Sequence, residues 1–136
     1  MEGLVKVGLP MGPGQFEWVW AKPTGRSSAT IANIPFFTRA KVTLEDEIYF
    51  RTERGMRVYT RAKLRSGNDT ALVAFKDGIE RGRYMDLRKQ IHALGLETES
   101  ALVGVLAVLI RKTGDWETLE GFLEGVKPEV KAWGRR

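Results

Sequence analysis

Apolar and polar positions alternate along the first half of the chain. From Phe16, the residues Phe16, Trp18 and Trp20 fall on one face and Glu17, Val19 and Ala21 on the other. That period of two predicts a strand with an aromatic side, ended by Pro23 and Gly25. Residues 28–32 predict a second short strand running into Asn33-Ile34-Pro35-Phe36-Phe37. There the proline holds Ile34 extended and interrupts the ladder, and the two phenylalanines are expected to plug a small barrel. Residues 47–52 and 56–65 alternate around Glu53-Arg54-Gly55, a hairpin with glycine where positive φ is needed. Ahead of all this, Gly3, Gly8, Pro10, Gly12, Pro13 and Gly14 mark residues 1–14 as a flexible arm.

After Ser66-Gly67-Asn68-Asp69 the rhythm changes. Residues 70–75 predict a strand. Residues 79–94 carry Tyr84, Leu87, Ile91 and Leu94 at helical spacing, with Gly95 where a C-terminal cap belongs. Residues 96–99 and 103–111 predict two more strands, the second almost continuously apolar and so central in a sheet. Asp115 is the expected N-cap of a helix with Trp116, Leu119, Phe122 and Leu123 on one stripe, closed by Gly125 and Pro128. A last strand is expected near residues 130–133. The predicted fold class is therefore α+β. A small antiparallel β-barrel or twisted sheet over residues 15–66 precedes a ferredoxin-like β-α-β-β-α-β half over 67–136.

Composition narrows the chemistry. The 136 residues are 43% hydrophobic and 29% charged, an ordinary globular balance. Lys and Arg number 22 against 17 Asp and Glu, giving a net charge of +5 and a preference for acidic or polyanionic partners. Cysteine is absent, which removes disulfides, thiolate metal sites and cysteine nucleophiles and fits an intracellular, cytoplasmic protein. Residues 1–14 are too interrupted for a signal-peptide core, and the longest apolar run, residues 101–110, is about half a membrane span. Abundant charge with scarce Asn and Gln leans toward a thermophilic source.

No catalytic set assembles from the sequence. The lone His92 follows the core position Ile91 and reads as a helix-surface residue without a second metal ligand. Ser27, Ser28, Ser66 and Ser100 lack a nucleophile context. Glu45, Asp46 and Glu47 read as a solvated strand entry rather than a Mg²⁺ site. Phosphate loops and dinucleotide fingerprints are missing, so neither a cofactor nor a small-molecule substrate is implied.

The most informative segment is residues 56–65. Met56, Val58, Thr60, Ala62 and Leu64 are expected on one face, and Arg57, Tyr59, Arg61, Lys63 and Arg65 on the other. At about 3.3 Å per residue the second set forms a basic ladder spanning roughly 26 Å. With Arg51 and Arg54 nearby, it is the predicted partner-binding surface, for phosphates or an acidic protein. The alternative is a solvated face, or an edge strand guarded by charge. A second basic group, Arg81, Arg83, Arg88 and Lys89, is spread around its helix and reads as solvated surface.

Trp18-Val19-Trp20-Ala21-Lys22-Pro23, Asn33-Ile34-Pro35-Phe36-Phe37, Arg65-Ser66-Gly67-Asn68-Asp69-Thr70 and Leu94-Gly95 resemble a family of uncharacterised bacterial proteins. That family has a Trp-Ala-Lys-Pro strand, an Asn-Ile-Pro-Phe-Phe box and a Ser-Gly-His-Ser-Thr-like turn. This chain has Asn68 and Asp69 where the family commonly has His and Ser, so the turn reads as structural. In size, basic character and lack of a catalytic set the chain also resembles small phage-encoded inhibitors of a thermophilic bacterium's RNA polymerase. That second resemblance implies a non-enzymatic regulator docking on the polymerase holoenzyme near the β-flap and sigma and altering promoter recognition. The other readings are a nucleic-acid-binding module using the same strand, and an immunity or inhibitor protein against a toxin.

Overall fold

A computed structural model describes residues 3–136 and shows a mixed α+β chain in two compact units, residues 1–68 and 69–136. Among the described residues no helix is long and apolar enough to cross a membrane.

The first unit contains five strands: β1 (Val5–Gly12), β2 (Gln15–Gly25), β3 (Ser28–Ile31), β4 (Glu47–Glu53) and β5 (Met56–Leu64). Consecutive strands pair antiparallel, and β5 returns to β1 in parallel, so the ladder closes on itself. Residues 5–12, expected within a flexible arm, are thus a strand. Val7 and Leu9 point into the core at 0% exposure, and that burial outweighs the local preference of Gly8 and Pro10 for irregular backbone. Val7, Leu9, Val19, Ala21, Ala29, Ile31, Ile48 and Phe50 fill the interior. Six of these eight are small or β-branched, which suits so narrow a ring, and the bulky Phe16, Trp18 and Trp20 on the opposite face of β2 turn outward.

The hairpin between β4 and β5 pairs Glu53 with Met56, leaving Arg54 and Gly55 as a two-residue loop. Both have positive φ, 51° and 80°, the geometry whose twist matches the flanking strands.

The segment between β3 and β4 is tied down by carboxylates and an amide. Asn33 Oδ1 accepts the Trp20 N–H at 2.6 Å. The Glu17 carboxylate accepts three successive N–H groups, from Phe36 at 2.7 Å and from Phe37 and Thr38 at 2.9 Å. Of the two phenylalanines expected as plugs, Phe36 is buried and Phe37 is 51% exposed, because their successive side chains leave the backbone in different directions.

Asp46 also departs from the expected solvated strand entry. It is 3% exposed, and its carboxylate accepts the Thr43 N–H at 3.0 Å, the Ser66 N–H at 2.8 Å and the Ser66 hydroxyl at 2.6 Å. Charge alone marked it for the surface. Three donors replace the water it loses.

The second unit is built from β6 (Asp69–Phe75), α1 (Arg81–Ala93), β7 (Thr98–Leu102), β8 (Val105–Ile110), α2 (Thr113–Gly125), a short 3₁₀ turn (Lys127–Glu129) and β9 (Val130–Arg135). Its sheet order is β7-β8-β6-β9, and every neighbouring pair is antiparallel. Val73, Phe75, Tyr84, Leu87, Ile91, Leu106, Val108, Leu119 and Leu123 form its core. The apolar strand β8 is buried over five consecutive residues, as a central strand is.

Three boundaries differ from the pattern-based expectation. The strand expected at residues 96–99 is β7, shifted to 98–102, and the turn into β8 falls at Val103 and Gly104, where φ is 98°. Helix α2 starts at Thr113 with Lys112 at its N-cap. Asp115 lies inside the first turn, and its carboxylate reaches back to the Arg111 N–H at 3.0 Å. At the other end of α1, Gly95 has φ of 87°, the left-handed stop that Leu94-Gly95 suggested.

Candidate functional site

The basic strand does not keep the two-face division its sequence suggests. Tyr49 opposes Arg61 and Phe50 opposes Tyr59, so Thr60 bulges out of the ladder. A second slip leaves Lys63 unopposed between Ala62, which pairs with Ile48, and Leu64, which pairs with Glu47. Each bulge shifts the alternation by one residue and sends later side chains to the other face. Tyr59 therefore shares the core side of Phe50 and is half-buried, whereas Arg61 shares the outer side of Tyr49. Met56 and Leu64, expected to point inward, are 47% and 67% exposed.

The seven predicted binding residues consequently separate. Arg51 is exposed and paired with Glu53 at 2.7 Å. Arg61 stacks over the Tyr49 ring at 4.3 Å, and Lys63 reaches both that ring at 5.5 Å and Glu47 at 3.1 Å. Arg65 donates to the Lys41 carbonyl. The hydroxyl of Thr24 and then the ammonium of Lys63 hold the Glu47 carboxyl below its ordinary range. Arg54 sits exposed in the hairpin loop, and Arg57 lies half-buried with its guanidinium 5.8 Å from the Phe50 ring. Arg61 and Lys63 thus gather over Tyr49, while Arg54 and Arg57 lie at the hairpin end of the strand.

What joins them there is the aromatic face of β2. Lys6, Trp18, Gly55, Met56 and Arg57 line a shallow cleft of about 350 Å³, and Glu53, Arg54 and Met56 line a second beside it. The Trp18 indole lies across Gly8 of β1: a Cβ built at Gly8 would stand 3.0 Å from indole Cη2 and Cζ3. Trp18 nevertheless keeps 43% of its surface exposed, with Phe16 at 5.8 Å between ring centroids. Lys6, two residues before Gly8, projects over Trp20 at 5.2 Å. The result is an exposed indole over Gly8 in a cleft whose lining also includes Lys6, Met56 and Arg57.

Charge reinforces this location. Residues 1–68 contain eleven Lys and Arg against six Asp and Glu, while residues 69–136 contain eleven of each. The entire net charge of +5 belongs to the first unit.

Sequence reasoning identified the aromatic side of β2 without adding it to the site, and it missed Lys6. The available signal was Gly8 alternating with Val7 and Leu9, a side-chain-free position of the kind an aromatic on a neighbouring strand can cover.

Ser66, Ser100 and His92, considered for catalysis, are occupied otherwise. Ser66 is bound to Asp46, the Tyr84 hydroxyl pairs with Ser100 and donates to the Val105 carbonyl at 2.9 Å, and His92 Nε2 meets the Thr98 hydroxyl. Among the described residues no three carboxylate or imidazole groups converge as a metal site requires. In the Ser66-Gly67-Asn68-Asp69 turn, Asn68 Nδ2 donates to the Leu44 carbonyl at 3.2 Å and Asp69 Oδ1 accepts the Thr70 N–H at 2.9 Å.

The model of a family described as Domain of unknown function (DUF4265) matches residues 17–133. The chain is also similar to a solved structure described as a novel crystal structure of a hypothetical protein from Neisseria gonorrhoeae. The TM-score is 0.66 at 17% identity, over 100% of this chain and 93% of the other. At that identity the likeness concerns the fold. Among curated proteins there is no match.

Proposed function

The chain belongs to the DUF4265 family, and on that footing we propose that it is a non-enzymatic protein that binds an acidic macromolecular surface through its first unit. The observation that carries this reading is the cleft lined by exposed Trp18 and Met56 together with Lys6 and Arg57. Trp and Arg are the side chains that most often dominate binding energy, and Met adapts to irregular apolar surfaces. The surrounding cations steer an acidic partner and reject basic ones. The five-strand ring and the β7-β8-β6-β9 order, with a helix in each crossover, support the small-barrel and ferredoxin-like reading of the two units.

Bacterial RNA polymerase holoenzyme, at the β-flap and sigma region, is the specific partner proposed, on the strength of the size and charge resemblance alone. The test is capture of purified holoenzyme by the immobilised chain after nuclease treatment, with Trp18→Ala and Arg57→Ser as controls. Retention of holoenzyme by the wild type and its loss in both variants supports the reading. No retention removes the polymerase, and retention by both variants removes the cleft.

A second reading, binding of single-stranded nucleic acid, is favoured by Phe16, Trp18 and Trp20 lying on the outer face of a cationic barrel. Bases stack on such rings while Lys and Arg follow the phosphates. Salt separates the two. For about six phosphate contacts, affinity falls roughly 10³-fold or more between about 50 and 200 mM salt, whereas a protein partner held by an apolar anchor loses much less.

A further inference from the structure

We infer that the second unit carries a separate binding groove, between helix α1 and the outer edge of strand β7, that accepts an extended acidic segment of another protein as an added strand. The sheet order places β7 at an edge, paired with β8 alone. The Leu109 N–H donates to the Glu97 carbonyl at 2.9 Å, so Glu97 faces β8. Alternation then turns the backbone groups of Thr98 and Ser100 away from β8, toward the open side. Helix α1 stands along that side: Arg88 donates from Nε to the Thr98 hydroxyl at 2.9 Å and from Nη2 to the Thr98 carbonyl at 3.3 Å.

The space between helix and edge is a groove of about 370 Å³, walled by Arg81, Met85 and Arg88 from α1 and by Ser100, Leu102 and Val103 from the β7–β8 hairpin. Met85, Leu102 and Val103 are 38%, 55% and 40% exposed, an apolar strip beside the outer edge of β7. The groove's wall includes two arginines and no carboxylate. Main-chain pairing along an edge supplies affinity, and pockets for alternate side chains supply selectivity. Here those pockets suit an apolar side chain followed by an acidic one, which fixes the occupant's chemistry by charge. The surface lies in the unit without net charge, so this inference does not depend on the Trp18 cleft.

The test is selection of displayed random peptides of about ten residues on the immobilised full-length chain, each able to run along the edge at about 3.3 Å per residue. The expected pool alternates apolar with acidic residues. Its leading peptide, synthesised and titrated into ¹⁵N-labelled protein, shifts the Thr98 and Ser100 amides. Arg81→Glu, at an exposed position, weakens it about tenfold or more, the equivalent of about 1.4 kcal/mol. Leu102→Asp, also exposed, weakens it similarly, and Trp18→Ala leaves it unchanged. Selection without acidic enrichment, binding indifferent to both groove variants, or binding lost in Trp18→Ala each overturns the groove.

Discussion

Arg83 grips Glu129 through two parallel hydrogen bonds, Nε to Oε2 at 2.6 Å and Nη2 to Oε1 at 2.5 Å, across 46 positions of sequence. The pair fastens the third residue of α1 to the short turn that leads into β9, and Asp86 adds a second carboxylate to the same guanidinium at 2.7 Å. The fork matches the carboxylate's planar geometry, which a Lys at this position could not reproduce.

A pH dependence follows from that pair. The bonds from Arg83, with a smaller contribution from the charge of Lys76, hold the Glu129 carboxyl below its ordinary range and hold the Arg83 guanidinium above its own. A carboxyl depressed in the folded state contributes stability that is complete above its unfolded pKa and disappears as pH falls through the lower, folded value. Melting curves of the wild type and Glu129→Gln are expected to differ at neutral pH and to converge below the usual carboxylate range. A constant gap at every pH would remove Glu129 as the titrating group. Glu47, lowered by Thr24 and Lys63, contributes with the same sign in the first unit.

Asp46→Ala tests the buried carboxylate. It strands the Thr43 and Ser66 N–H groups that Asp46 satisfies, so the expected loss is about 3 kcal/mol in urea unfolding. A loss under about 0.5 kcal/mol would return Asp46 to the solvated role its charge suggested.

Gly8→Ala places a methyl group against the Trp18 ring and 3.2 Å from Phe16 Cβ. A cost of about 1–3 kcal/mol is expected from that overpacking. Most of it should vanish in the Trp18→Ala background, and a double-mutant cycle measures the coupling. Additive costs would mean that the ring does not rest on Gly8.

The cations of β5 are expected to differ from one another. Arg57 lines the Trp18 cleft, whereas Arg61 and Lys63 lie over Tyr49. Arg57→Ser should weaken partner binding, and Arg61→Ser should leave it unchanged. Arg61→Ser should not alter the melting temperature much, because exposed charges contribute little to folding. Equal losses from both would restore the continuous basic ladder as the binding surface.

How much was legible differs between the two halves. The amphipathic period of residues 79–94, the run that became β8, the Arg54-Gly55 hairpin and the Gly95 stop were readable, because each is written in neighbouring residues. The strand β1 was obscured by Gly8, Pro10 and Gly12, which locally favour irregular backbone. Its identity depends on pairing with β2 and β5, and Val58 of β5 is far from Gly8 in sequence. The bulges at Thr60 and Lys63 were unreadable for the same reason: alternation alone assumes an uninterrupted ladder, and a slip exists only relative to the partner strand.

By itself, then, the sequence determined the α+β class, the order of helices and strands from β2 onward, the cationic character and the aromatic side of β2, since local period and composition suffice for each. Tertiary structure alone decided which face of β2 became core, where the basic residues separated and that Trp18 joined Lys6 and Arg57. A closed ring of five strands admits only modest side chains inside, so it expels the indoles and gathers on its outer surface residues that lie far apart in the chain.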